Sequence, residues 1–344
     1  MENKKQILSM QLNVDGFAPA SDSEKESLSV MRESVSFWKD GLRRLRKNPI
    51  AMVSLAVLII VLILAFIVPA FYPYDYATQI RGSENLGPMQ YSEAEQAAMA
   101  AGEKVFPHIL GTDSLGRDYA VRVMMGTRVS LSVGLLASVL VLLIGSVYGS
   151  VAGFLGGKVD LFMMRIVDII YSLPDMLMVV LLSVVLREVI NVDAFPALQK
   201  IGTNMISMFI VFALLYWTGM ARMVRGQILT VKQNEYILAA RVSGAKDSRI
   251  IRRHILPNIV SVIIIAAALQ IPSAIFTESF LSFIGLGVQA PMPSLGSLAN
   301  EARAGITQYP YKLLFPAGMI CLITLAFNLL GDGLRDAFDP KLRR

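Results

Sequence analysis

Five uncharged windows, each about long enough to cross the hydrocarbon of a bilayer, recur along this chain at 50–71, 129–157, 201–221, 255–277 and 313–331. In lipid the backbone must satisfy its own polar groups, so such windows are either helices or strands of a closed barrel. No stretch between them alternates apolar and polar residues as barrel strands do, which leaves helices. With 344 residues, 54% hydrophobic and 17% charged, the chain is too apolar for the two soluble domains its length would allow. It reads as an all-α membrane protein.

A further segment, 161–186, carries Arg165, Asp168 and Asp175 in its first half and is apolar only from Met176 onward. Charge decides whether it crosses. Arg43, Arg44, Arg46 and Lys47 precede the first span and place the N-terminal segment in the cytoplasm. If 161–186 did not cross, the basic loop with Lys232, Arg241, Lys246, Arg249, Arg252 and Arg253 would lie outside, as would Lys341, Arg343 and Arg344. Both placements break the positive-inside rule. The expectation is six transmembrane helices with both termini cytoplasmic. Pro174 predicts a kink in the third, and Arg165 and Asp168, three residues apart, predict an ion pair on one of its faces.

The organisation that follows is a cytoplasmic N-terminal segment with an interfacial helix at 1–48, a first transmembrane helix at 49–72, an extracytoplasmic loop at 73–126, a core at 127–334 holding the other five spans, and a cytoplasmic tail at 335–344. Val35, Trp38, Leu42 and Leu45 fall on one helical face before the first span, either as an interfacial helix or as a plain topology signal with a Trp anchor. The polar, Ser-rich residues 1–30 are expected to be disordered, and the first apolar run comes too late for a secretory signal, so the first span is expected to be an uncleaved anchor. In the acidic loop that follows it, Ser92 and Glu95 form a capping-box signature and predict a short helix over 92–102. The loop is long enough for a lid and too short for an independent domain.

One cysteine, Cys321, allows no internal disulfide, and the two histidines, His108 and His254, lie in different loops with no metal-ligand cluster around them. The chain contains no phosphate-binding loop, nucleophile elbow or zinc-protease motif, so it is not expected to be an enzyme or to hydrolyse ATP. Its net charge of +6 is read as topology rather than as affinity for nucleic acid.

The loop 230–257 is the most informative polar segment. Tyr236 to Val242 has helical composition, Gly244 tolerates the left-handed geometry of a helix end, and a second helix from Asp247 is expected to stop before Pro257. Ala239 and Ala240 keep the first helix slim enough for a partner surface to approach, although a solvated basic loop with chance small residues would look similar. Asp175, beside the kink, and Glu278, near the far end of the fifth span, are ionisable groups at membrane depth and candidates for the pore or its gate. Glu278 equally fits a cap on the irregular segment with Gly285, Gly287, Pro291 and Pro293. Asn328, Asp332, Arg335, Asp336 and Asp339 cluster at the end of the last span, where local ion pairing is expected.

The loop resembles the cytoplasmic loop of ABC importer permeases, a pattern of Glu-Ala-Ala, three residues, Gly, nine residues, then Ile-x-Leu-Pro. Ala239, Ala240, Gly244, Leu256 and Pro257 match; Leu238 stands in place of Glu, and His254 in place of Ile with Ile255 one place later. The motifs containing His108, Gly111, Asp113 and Asp118, Gly126 to Leu131, Gly156 to Asp160, Arg165 and Asp168, Glu278 to Gly287, and Asn328 to Pro340 are similar to the C-type permease subunit of oligopeptide and dipeptide importers. The resemblance implies a type I ABC importer permease fold with an external loop between helices 1 and 2. It implies a heterodimer with a second permease subunit, two cytoplasmic ATPase subunits that hydrolyse the ATP, and an extracytoplasmic peptide-binding protein. It also implies a bacterial cell membrane, peptide substrate, and no cofactor held by this chain. The ATPase-coupling residues it implies are Glu235, Leu238, Ala239, Ala240, Arg241, Gly244, Ala245, Arg249 and Pro257.

Nickel or another small solute is the alternative within the same machinery, because these motifs concern coupling rather than ligand. An ion-coupled secondary transporter would need midplane charges and inverted repeats, and an embedded hydrolase a nucleophile and base within the spans. The sequence shows neither set.

Overall fold

In the computed structural model, residues 37–190, 202–288 and 290–338 are described. The expected disorder of 1–30, Val35, Asp339, Pro340 and the basic tail lie outside them. The chain divides into the units Met1–Asp40 and Gly41–Arg344. Helix α1 (Phe37–Lys47) spans their boundary. Within the second unit its Leu45 is buried with Ala51 and Ala337, while Leu42 is exposed.

Helix α2 (Pro49–Phe66) starts where Asn48 accepts from the Ile50 and Ala51 amides at 3.1 and 3.2 Å, with proline in its first turn where no donor is lost. With a 3₁₀ turn at Val68–Ala70 it forms the first of five helices long and apolar enough to cross a membrane. The second is α4 (Tyr119–Leu155), whose N-cap Asp118 accepts from the Val121 amide at 2.9 Å. At 37 residues, or roughly 55 Å, it overshoots the hydrocarbon core and begins well before the window read from hydropathy.

Between them, 71–118 folds back over the ends of the helices. The short helix α3 (Glu93–Ala100) carries the expected capping box of Ser92 and Glu95. His108 is fully buried between Asp118 (Nδ1 to Oδ2, 2.7 Å) and Glu95 (Nε2 to Oε1, 3.0 Å), with the Tyr74 ring stacked on it. Asp113 pairs with Arg117 and Arg122, and Arg122 reaches Glu301 with two bonds at 2.8 and 3.0 Å. The motif between His108 and Asp118 is thus a latch that fixes the loop to the bundle.

The doubtful third segment is two helices, α5 (Gly157–Tyr171) and α6 (Asp175–Val189), bent by 85°. Pro174 has no amide to donate and disfavours helical geometry at Leu173, so the segment breaks rather than kinks. As a pair they make a sixth candidate span. The charged half α5 is held against the bundle by Arg222 and Arg225. The expected Arg165–Asp168 pair does not form: Asp168 is met by Arg222 at 2.7 Å, and the Arg222 guanidinium also covers the Tyr171 ring. A planar donor stacked on an aromatic face outcompetes a neighbour on the same helix surface.

Helices α7 (Thr203–Leu215) and α8 (Trp217–Lys232) form one continuous apolar stretch. Arg225 of α8 is bidentate to Asp160 at 2.5 and 2.6 Å. Gly145, Gly149 and Gly153 of α4 face α8, where a methyl at Gly149 would lie 2.4 Å from the Ala221 carbonyl oxygen. This is a small-residue seam that lets two backbones touch. After α9 (Glu235–Val242) and α10 (Asp247–Ile250) come a π-helical turn at Ile251–Ile255 and α11 (Leu256–Phe283). The short α12 (Leu295–Ala302) tucks against α4, α11 and α13 (Tyr311–Phe338). At the end of α13, Asp332, Arg335 and Asp336 are exposed, and no ion pair joins them among the described residues.

Candidate functional site

At the end of the bundle opposite the latch, α9 and α10 form a two-helix platform. The chain leaves α9 through a Schellman turn. The Gly244 amide donates to the Arg241 carbonyl at 2.9 Å and the Ala245 amide to the Ala240 carbonyl at 3.0 Å, with Gly244 at φ +78°. Gly244 is therefore the stop expected from its position. The second helix departs from expectation. It does not end before Pro257 but runs through the π turn into α11, because the wider turn moves the carbonyl that the proline ring would strike and spares the missing amide.

The platform is fastened by apolar side chains. Ile237, Ile250 and Ile255 are buried in one cluster with Phe154, Val224 and Ile228, which belong to the ends of α4 and α8. The Asn258 amide bridges the Tyr236 hydroxyl (3.1 Å) and the His254 carbonyl (2.6 Å), closing α9 onto the start of α11. The isoleucines were legible as apolar residues within a charged island, yet nothing in the sequence said which span ends they would meet.

What the platform leaves open is one surface. Glu235, Leu238, Ala239 and Val242 recur at helical spacing on the exposed side of α9, flanked by Arg241 and, from α10, Arg249. Leu238 is 50% and Val242 90% exposed, so the residue standing where the pattern has Glu presents an apolar face. Ala240 and Ala245 are half-buried beneath it, and Pro257 is exposed at its edge. All the residues expected to act together are thus gathered at one end of the molecule.

Asp175 and Glu278 lie elsewhere and apart from each other. Asp175 opens α6 at the edge of a cleft at the helix break. Glu278 is fully buried, accepting hydrogen bonds from Ser130 (2.6 Å), Ser282 (2.7 Å) and Ser279 (3.3 Å). Ser282 in turn accepts from the Val288 amide and Ser130 from that of Leu295. Through these serines Glu278 is tied to the irregular segment between α11 and α12.

The fold defines a multi-pass, all-helical membrane protein with an exposed two-helix platform at one end. Residues 145–344 match the family described as binding-protein-dependent transport system inner membrane component, and residues 36–88 the N-terminal transmembrane domain of oligopeptide transport permease C. The chain is 41% identical to the oligopeptide transport system permease protein OppC of Bacillus subtilis (strain 168), over 95% of this chain and 97% of that protein. It is 41% identical to the dipeptide transport system permease protein DppC of the same organism, over 95% and 93%. It is 36% identical to the glutathione transport system permease protein GsiD of Pectobacterium atrosepticum, over 89% and 92%. The chain belongs to the family of binding-protein-dependent transport inner-membrane permeases.

Proposed function

We propose that this chain is one of two pore-forming permease subunits of an ATP-driven importer of oligopeptides or dipeptides in a bacterial cell membrane. Six spans, counting the bent pair as one, leave both termini and the α9–α10 platform in the cytoplasm and the His108 latch outside. The chain binds no cofactor and hydrolyses nothing; two cytoplasmic ATPase subunits turn over ATP, and an external binding protein delivers peptide. Nickel import and ion-coupled transport are disfavoured by the similarity to peptide permeases across nearly the whole chain.

The observation that carries this reading is the pairing of an exposed apolar helix face with a buried isoleucine cluster beneath it. An ATPase that grips Leu238 and Val242 holds a body continuous with α11 and packed on α4 and α8. A shift of one ATPase toward the other then moves span ends as a rigid unit. The test is affinity isolation of the tagged complex. Leu238→Asp with Val242→Asp should lose the ATPase subunits while keeping the second permease; full ATPase recovery would refute this docking face.

A further inference from the structure

Most ionisable groups in the described bundle have evident partners. Asp160 and Asp168 meet Arg225 and Arg222, Glu278 meets three serines, and Arg122 meets two carboxylates. Asp175 takes part in no ion pair among the described residues, as is also true of Arg165, Arg187 and Glu188 in the same bent pair, but it alone of these lines a cleft beside Gln270 and Ser273. It stands at the first position of α6, exposed, where the break between α5 and α6 opens a cleft of about 210 Å³.

The cleft mixes apolar walls, from Ile170, Leu173 and Met178, with a set of polar groups. Besides Asp175 it is lined by Tyr216, Thr218, Gln270 and Ser273, contributed by α8, its N-cap and α11. The Tyr216 hydroxyl is already engaged with Thr277 at 2.8 Å. The Gln270 amide and the Ser273 hydroxyl have no partner among the described residues, so a donor, an acceptor and a carboxylate face one space. An ionisable group within a spanning segment is by default read as part of a solute route, and Asp175 belongs to the bent pair that makes the sixth candidate span.

We propose that this cleft is a transit subsite for the N-terminal ammonium group of the transported peptide. Asp175 pairs with the ammonium, and Gln270 takes the first peptide group through its N–H and C=O. The volume is below the roughly 300 Å³ of pockets that enclose a whole drug-sized ligand, so the cleft holds one end of the peptide and not its length. This inference rests on the peptide-import reading above and specifies where that pore recognises charge.

The test uses proteoliposomes containing the complete transporter with its binding protein and ATP, with labelled tri-alanine as probe. Asp175→Asn should lower import kcat/KM at least ten-fold, Asp175→Glu should keep at least a third of it, and Gln270→Leu should lower it three-fold or more. In a Cys321→Ala background, the Asp175→Cys variant should react with a small thiol reagent at least five-fold more slowly while peptide is being transported. That protection would not arise from a merely structural role at the helix start. Wild-type import by Asp175→Asn, or labelling of Asp175→Cys that is indifferent to peptide, would overturn the subsite. Failure of the wild-type complex to import tri-alanine at all would instead overturn the peptide-import reading.

Discussion

Gly244 combines a conformational demand with open surroundings. Its left-handed backbone costs a residue with a side chain roughly 1–2 kcal/mol, yet a methyl placed there meets nothing within 4 Å. Gly244→Val should therefore leave the spans folded while misdirecting α10 from the face of α9. The expected outcome is normal membrane abundance with import reduced several-fold and ATP turnover no longer following it, measured in parallel on the reconstituted complex. His108 is the opposite case, fully buried and held by two carboxylates. Burial lowers its affinity for a proton, but the carboxylates of Asp118 and Glu95 more than offset this, and its pKa is raised above the usual value. A raised folded-state pKa gives stability that is complete below the ordinary value of about 6.5 and is lost as pH rises through the folded value. Amide exchange across 83–112 should accordingly quicken between pH 6 and pH 9 beyond the intrinsic chemical rate. His108→Gln should remove that difference; an unchanged pH dependence in the variant would show that another group controls the latch.

Elements were legible in the sequence to the degree that their signals were local. Ser92 with Glu95, and Gly244, each act within a few residues, and each helix boundary they mark is present. The break at Pro174 was foreseeable in place but not in size, because its 85° depends on how α8 holds α5 through Arg222 and Arg225, far away in sequence. The same distance hid Arg222 as the partner of Asp168. The seam of Gly145, Gly149 and Gly153 was readable at four-residue spacing but passed for ordinary apolar sequence, and only the contact with α8 gives it meaning. It makes a sharp prediction. Gly149→Ala drives a methyl into backbone that cannot yield and should destabilise by about 1–3 kcal/mol, as overpacking does. Gly318→Ala on α13, where a methyl meets nothing within 4 Å, should be neutral or slightly stabilising. Thermal unfolding of the detergent-purified complex compares the two; equal effects would mean that the seam is not tight.

Across the whole molecule, the central helices are α4 and the α7–α8 stretch, each with half of its most apolar window buried, whereas α13 buries 17% of its own and leaves the rest to lipid or a partner. The latch closes one end, the α9–α10 platform occupies the other, and the cleft at Asp175 lies at the break between α5 and α6. Composition and charge gave the span count and the sidedness expected here, and the platform was legible as a motif. What could not be read was how its apolar residues join it to three spans, since that requires the fold. As proposed, this chain is a passive pore subunit driven through its platform by separate ATPase subunits. The direct measurement is labelled-peptide uptake into proteoliposomes containing the two permease subunits, with the ATPase subunits added or withheld. Uptake is expected only when the ATPases and ATP are both present, and should be lost when Leu238 and Val242 are replaced by Asp. Uptake by the permeases alone, driven by an ion gradient, would contradict this.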